Sequence, residues 1–241
     1  MTNKYMYFIA NWKMFGRLNS LNSLHKVIKF LKTFKKNKAL KIIYCPPSTL
    51  IRPMSKKLKT SRIEVGAQNC HEQETYGAFT GFINPSMLKS VGAKYVIIGH
   101  SENRQSGETN KLINQKIKSA LKSGLKVILC IGETLKEKRK KITKQVLNKQ
   151  IKLGLYKIKN KNKIIIAYEP VWSIGTGLIP KSNELFDTID YIKKKIKNYK
   201  VLYGGSVNPK NISELKSINN IDGFLIGGAS QDPKKFIDII K

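Results

Sequence analysis

Eight short apolar runs recur along the chain, each closed by glycine, proline or small polar residues. They are YMYFIAN from Tyr5, KIIYCPP from Lys41, RIEVGAQN from Arg62, KYVIIGHS from Lys94, LKVILCIGE from Leu125, KIIIAYEP from Lys163, KVLYGGS from Lys200 and GFLIGG from Gly223. Their centres are nearly continuous in Ile, Val, Leu and aromatic residues, as a parallel strand covered on both faces requires. Between most of them apolar residues return every three or four positions, for example over Leu18–Phe34, Lys111–Ser123, Leu135–Ile158 and Ser182–Asn198, which is helical spacing. Strand thus alternates with helix, and no linker-like change of composition interrupts the series. The pattern predicts an α/β chain folded as one domain over residues 1–241, a single (β/α)8 barrel. An open doubly wound sheet is the weaker alternative.

Composition alters this picture at one point. A hydrophobic fraction of 41% supplies a sizeable core, but 46 Lys+Arg against 15 Asp+Glu give a net charge of +31. Such a charge attracts polyanions and steers phosphorylated substrates. The excess is mostly lysine, spread along stretches such as LKTFKKNKALK and TLKEKRKKITKQ, not gathered into an arginine-rich arm with interleaved aromatics. It reads as a solvated surface, with no dedicated nucleic-acid site. No apolar run reaches membrane-spanning length, and Met1–Tyr7 lacks the layout of a secretory signal, so a soluble, cytoplasmic protein without membrane contact is expected. Cys45, Cys70 and Cys130 are widely spaced, with no Cys-x-x-Cys pair and no histidine at ligand spacing. Reduced thiols and no metal site follow.

Chemistry gathers where each apolar run ends. Asn11, Lys13, His100, Glu133, Glu169 and the glycine pairs 204–205 and 227–228 all follow their strands. In a barrel those are the carboxyl ends, where active sites are built. Gly204-Gly205-Ser206 and Gly227-Gly228-Ala229-Ser230 follow the last two strands, where backbone N–H groups form a phosphate site; the bland alternative is a pair of tight turns. Glu169, between Ile164-Ile165-Ile166 and Pro170-Val171-Trp172, is desolvated enough to serve as a base or is a structural partner. His100 is a polarising imidazole or a satisfied core histidine, and Lys13 a site cation or a surface charge. As a set beside a phosphate site they suit proton transfer next to the carbonyl of a phosphorylated substrate. The chain has no nucleotide fingerprint and no lysine in a Schiff-base context, so no cofactor is expected.

The motifs ANWKM, GAQN, GAFTG, GHSEN, CIGET, AYEPVWSIGTG, YGGSV and GFLIGGAS occur in the order and at about the spacing of the triosephosphate isomerase family, which the chain resembles over nearly its whole length. The resemblance implies Glu169 as the base that moves a proton between two carbons of a triose phosphate. It implies His100 as the neutral imidazole on the carbonyl, its pKa held down by a helix amino terminus, Lys13 as the electrostatic clamp, and Asn11 as its neighbour. Glu102 matches the carboxylate near that lysine, and Gly175, Ser206, Gly227 and Gly228 the phosphate-gripping positions. Pro170 to about Pro180 resembles a lid, with Glu133 and Tyr203 as its partners in the open and closed states. Thr80 corresponds to the residue that enters a neighbouring subunit, so a homodimer is implied.

Departures from the family pattern carry expectations of their own. Phe82 and Asn103 stand where a Glu and an Arg are usual near the dimer contact, predicting a more apolar interface. Pro180 occupies the position whose N–H meets the tyrosine of YGGS in the closed lid, so closure is expected to lose about 1 kcal/mol. Among rival readings, another phosphate-binding barrel explains the glycine turns but not AYEPVWSIGTG together with ANWKM. A nucleic-acid-binding protein rests on charge alone, and a non-catalytic barrel is opposed by the intact set Asn11, Lys13, His100 and Glu169.

Overall fold

In a computed structural model, which describes residues 5–34 and 39–241, the eight runs are eight parallel strands. They are β1 (Met6–Asn11), β2 (Leu40–Cys45), β3 (Glu64–Ala67), β4 (Tyr95–Ile98), β5 (Lys126–Ile131), β6 (Ile164–Tyr168), β7 (Lys200–Tyr203) and β8 (Gly223–Ile226). Each bonds to the next in sequence, and β8 returns to β1, so the sheet closes and the doubly wound alternative is excluded. Ile9 faces Ile43 on one side and Leu225 on the other, which fixes the register of the closure. Residues 1–4, part of the amino-terminal stretch read for a signal, and the lysine-rich residues 35–38 lie outside the described residues.

Ten α-helices stand between or after the strands among the described residues. They are α1 (Leu24–Thr33), α2 (Ser48–Leu58), α3 (Pro85–Ser90), α4 (Ser101–Gln105), α5 (Asn110–Lys122), α6 (Leu135–Arg139), α7 (Thr143–Gly154), α8 (Ser182–Lys195), α9 (Ile212–Ser217) and α10 (Pro233–Ile240). Local chemistry sets several of their starts. Thr109 Oγ1 accepts from Leu112 N–H at α5, Thr134 and Glu137 form a capping box at α6, and Asp232 accepts from Lys234 and Lys235 at α10. The helix expected over Leu135–Ile158 divides in two. Lys141 takes a left-handed φ of 57°, its N–H returns to Lys138 O, and Ile142 N–H returns to Glu137 O. That is a Schellman stop with lysine where glycine is usual, so composition gave no sign of it. Leu18–Phe34 also opens differently, as a 3-10 turn over Leu18–Ser23 before α1.

Side chains from the strands fill two layers. One lies between barrel and helices, where Phe8, Val96, Leu129, Ile166 and Val201 are completely buried. The other fills the barrel, with Ile9, Ile97, Cys130, Ala167, Leu202 and Leu225 pointing inward. Strand β6 is buried at every position, which is why its sequence shows no polar alternation. All three cysteines are free and buried. Among the described residues no helix is long and apolar enough to cross a membrane, and no cluster of His, Cys, Asp or Glu is placed to hold a metal ion.

Candidate active site

The inward period of the barrel delivers the site. Two residues beyond Ile9, Ala167, Leu202 and Leu225 stand Asn11, Glu169, Gly204 and Gly227, so the next inward layer is polar or open instead of apolar. His100 does not fall on this period. Gly99, at φ 74°, turns the chain after β4 and brings the imidazole in. Above the layer is a cavity of about 390 Å³ lined by Asn11, Lys13, His100, Glu169, Gly175, Ser206, Gly227 and Gly228, every residue expected to be catalytic or to hold substrate. Gly204, Gly205, Asn208 and Gln231 also line it, the last two without any sequence signal.

Lys13 has a left-handed backbone, φ 54°, a conformation that costs a non-glycine residue about 1–2 kcal/mol. Its neighbours hold it there. Asn11 Oδ1 accepts the Lys13 N–H at 3.1 Å, and Gln68 Nε2 donates to Lys13 O and to Cys45 O, both at 2.8 Å. Gln231 Nε2 donates to Trp12 O at 3.1 Å. The lysine Nζ donates to Glu102 Oε1 at 2.6 Å, which aims the cation along the cavity wall. Glu102 is therefore one step behind the cavity, where the resemblance put it.

His100 caps α4: its Nδ1 accepts the Glu102 N–H at 3.3 Å. A ring nitrogen that accepts a backbone N–H carries no proton, so the neutral ring holds its proton on Nε2. Nε2 lies 3.5 Å from Glu169 Oε1. Glu169 is only 3% exposed and its Oε2 has no hydrogen-bond partner. Burial pushes its carboxyl above the ordinary range, against the opposing pull of His100, Cys130 and Lys13. Glycine at 204 is what admits it, since a Cβ there would lie 2.6 Å from Glu169 Cγ.

Behind the cavity the segment expected to act as a lid, 170–180, is held at both ends. Trp172 Nε1 donates to Glu133 Oε1 at 2.8 Å, Tyr168 OH donates to Glu133 Oε2 at 3.1 Å, and Lys138 Nζ sits 3.8 Å from the Trp172 ring centroid. Glu133 is buried, and burial raises its carboxyl despite those bonds. At the apex, Gly177 N–H donates to Ser206 Oγ at 3.0 Å, so this segment lies against the turn expected to hold phosphate. Tyr203 contacts the lid through Ser173 Oγ at 2.9 Å, a residue to which the sequence reading gave no role. Glu133 and Tyr203 stand behind the cavity and do not line it.

Thr80 occupies an exposed turn and is not brought to the cavity of its own chain. Phe82 is 63% exposed with its ring edge against His71, centroids 4.8 Å apart. Asn103 lies within α4.

Comparison with known proteins agrees with this geometry. A family model described as triosephosphate isomerase matches residues 6–241. Triosephosphate isomerase of Dictyoglomus thermophilum is 44% identical, over 96% of this chain and 97% of the relative. That of Clostridium tetani is 40% identical, over 96% and 94% respectively. The crystal structure of triosephosphate isomerase from Bartonella henselae superposes with a TM-score of 0.87 at 34% identity, covering 98% of this chain and 97% of that one. A parallel eight-stranded barrel, a buried carboxylate beside an imidazole, glycine turns after the last two strands and full-length likeness converge: the chain belongs to the triosephosphate isomerase family.

Proposed function

We propose that the chain interconverts dihydroxyacetone phosphate and D-glyceraldehyde 3-phosphate, the isomerisation used in glycolysis and gluconeogenesis, and that Asn11, Lys13, His100 and Glu169 carry it. Glu169 takes a proton from the carbon beside the carbonyl. His100 Nε2–H hydrogen-bonds the carbonyl oxygen and protonates it as an enediolate develops. Return of the proton from Glu169 to the former carbonyl carbon, with the hydroxyl proton on the first carbon's oxygen passing back to His100, leaves the carbonyl on the first carbon and completes the exchange with no net change in oxidation. Lys13 Nζ, held by Glu102, faces the negative charge that builds on the oxygens, and Asn11 braces the lysine backbone. The phosphate rests on the turns at Ser206 and Gly227-Gly228, under Gly175 of the lid.

The observation that carries this reading is the buried Glu169 carboxylate 3.5 Å from His100 Nε2 at the edge of a glycine-lined cavity. A coupled assay on the purified protein and on Glu169→Asp tests it. Shortening the base by one methylene withdraws it by about 1 Å, so kcat should fall about 100-fold or more with a far smaller change in KM. Equal turnover in the two proteins would remove Glu169 from the role.

The same reading makes the enzyme a homodimer in which Thr80 of each copy stands beside the other copy's Lys13. Exposed apolar residues on two loops at the carboxyl end of the barrel support it, among them Met14, Tyr76 and Phe82. It also places the enzyme in the cytoplasm, which the three free, buried cysteines favour.

A further inference from the structure

A hydroxyl that the reaction does not use ties the lid down. Ser173 ends the 3-10 turn Val171–Ser173 and is completely buried. Its Oγ donates to Leu178 O at 2.5 Å, spanning the lid from one arm to the other. The same atom lies 2.9 Å from the Tyr203 hydroxyl and accepts the Ser206 N–H at 3.3 Å. A serine hydroxyl has one proton and two lone pairs. With the proton committed to Leu178 and one lone pair to Ser206, the other lone pair takes the Tyr203 proton. Each bond ends on a different element: the far arm of the lid, β7 and the phosphate turn.

The surroundings are shaped for this junction. A Cβ at Gly205 would lie 2.1 Å from the Tyr203 hydroxyl and 2.5 Å from Ser173 Oγ, so that glycine admits the pair. Pro180 has no N–H to offer Tyr203. Inside the ring closed by Ser173, Thr176 Oγ1 donates to Trp172 O and accepts the Leu178 N–H, which presents Gly177 to Ser206.

We propose that Ser173 is the positioning residue that latches the lid, supplying from its near arm the partner for Tyr203 that Pro180 cannot supply from the far arm. Its kinetic consequence rests on the isomerase reading, whereas the latch itself does not. With the latch gone the apex opens more often, and water reaches the enediolate. Its electron pair can then expel phosphate by breaking the carbon–oxygen bond, giving inorganic phosphate and an enol that becomes a dicarbonyl.

Hydrogen exchange of the amides from 174 to 178, without substrate, tests the latch on Ser173→Ala and on Tyr203→Phe, which removes the same bond from the other side. Both should exchange about tenfold faster than the parent. In turnover assays, Ser173→Ala should lose about tenfold in kcat/KM and release a larger share of inorganic phosphate per turnover. Adding Pro180→Ala, which restores an N–H at the far hinge, should recover part of both. Parent-like exchange in the folded variants overturns the latch, and a lowered melting temperature with unchanged phosphate partition overturns its kinetic consequence. A parent protein that fails to isomerise sinks the functional reading, and the exchange result still decides the latch.

Discussion

His100 Nε2 and Glu169 Oε1 stand 3.5 Å apart at the carboxyl ends of β4 and β6, one residue tethered by the start of α4 and the other almost dry. The tether fixes which nitrogen presents a proton, and the dryness makes the carboxylate a stronger base. Neither property belongs to the residue type alone, since the His100 tautomer depends on the Glu102 N–H and the Glu169 basicity on the glycines that let it be buried.

This dryness has a cost in stability with a definite sign. The folded pKa of Glu169 is raised, so its contribution to stability is fully present below the unfolded value, near 4.3, and is lost as pH rises through the folded value. At pH 8 the folded protein therefore holds an unfavourable buried charge. Glu169→Gln should abolish turnover yet raise the melting temperature at pH 8, each kcal/mol of relief appearing as about 2–4 °C. The gain should shrink as pH is lowered to 4. Thermal scans at both pH values check it, and a variant that melts below the parent at pH 8 would contradict the argument. In the parent, kcat/KM should fall with acidity on a limb above the ordinary carboxylate range.

Gly204→Ala probes the same carboxylate through shape. The new methyl would lie 2.6 Å from Glu169 Cγ, closer than Cβ contacts allow, so the side chain must move. A base displaced by about 1 Å costs about 100-fold in rate. We expect kcat to drop by that order while circular dichroism stays that of the parent. Parent-like kcat would mean that Glu169 relaxes without leaving its working position.

The barrel was readable because its physics is repetitive. Runs such as Ile164-Ile165-Ile166 can be buried on both faces only between two layers, and the polar residue that ends each run marks the open end. Asn11, Lys13, His100 and Glu169 were legible for the same reason, each ending or following its strand. Other features depend on contacts that sequence does not order. The stop at Lys141 uses a left-handed lysine in a lysine-rich stretch. Gln68 and Gln231 bond to the backbone of Lys13 and Trp12, just after β1, from far along the chain. Ser173 sits inside the quoted AYEPVWSIGTG, but its work is defined by Tyr203 and Ser206, thirty or more positions away. At Pro180 the sequence shows only that a donor is missing. Tyr203 is bonded to Ser173 here, so its hydroxyl is not left unpaired.

Glu102 should matter through Lys13. Burial alone would raise its carboxyl, but the Lys13 hydrogen bond and the nearby His100 hold it below the ordinary range. The charge is therefore present at neutral pH, and its stabilising contact is lost only as pH falls through that lowered value. Glu102→Gln keeps the backbone N–H that orients His100 and weakens the charge-assisted bond to Lys13 Nζ, now 2.6 Å. A fall of about tenfold in kcat/KM is expected, since the cation loses its aim but remains in the cavity. Kinetics equal to the parent would show that Asn11, Gln68 and Gln231 suffice to place the lysine.

The connection between β3 and α3 gives the last prediction. Tyr76 is 81% exposed, Phe82 63% and Phe79 43%, while in the connection after β1 Met14 is fully exposed at 100%. Solvated chains seldom display that many large apolar side chains on adjacent connections without a partner. The contact Phe82 offers is apolar, so Phe82→Asp, which would bury an unpaired charge there, should oppose association. Light scattering at micromolar concentration should give twice the chain mass for the parent and a smaller apparent mass for the variant. If the proposed dimer forms, turnover should fall with it, because Thr80 would lose its place beside the other copy's Lys13, while exposure of Phe82 leaves the chain's own core unaffected. A parent protein that scatters as a single chain at that concentration, with full activity, would rule out both the dimer and any role for Thr80.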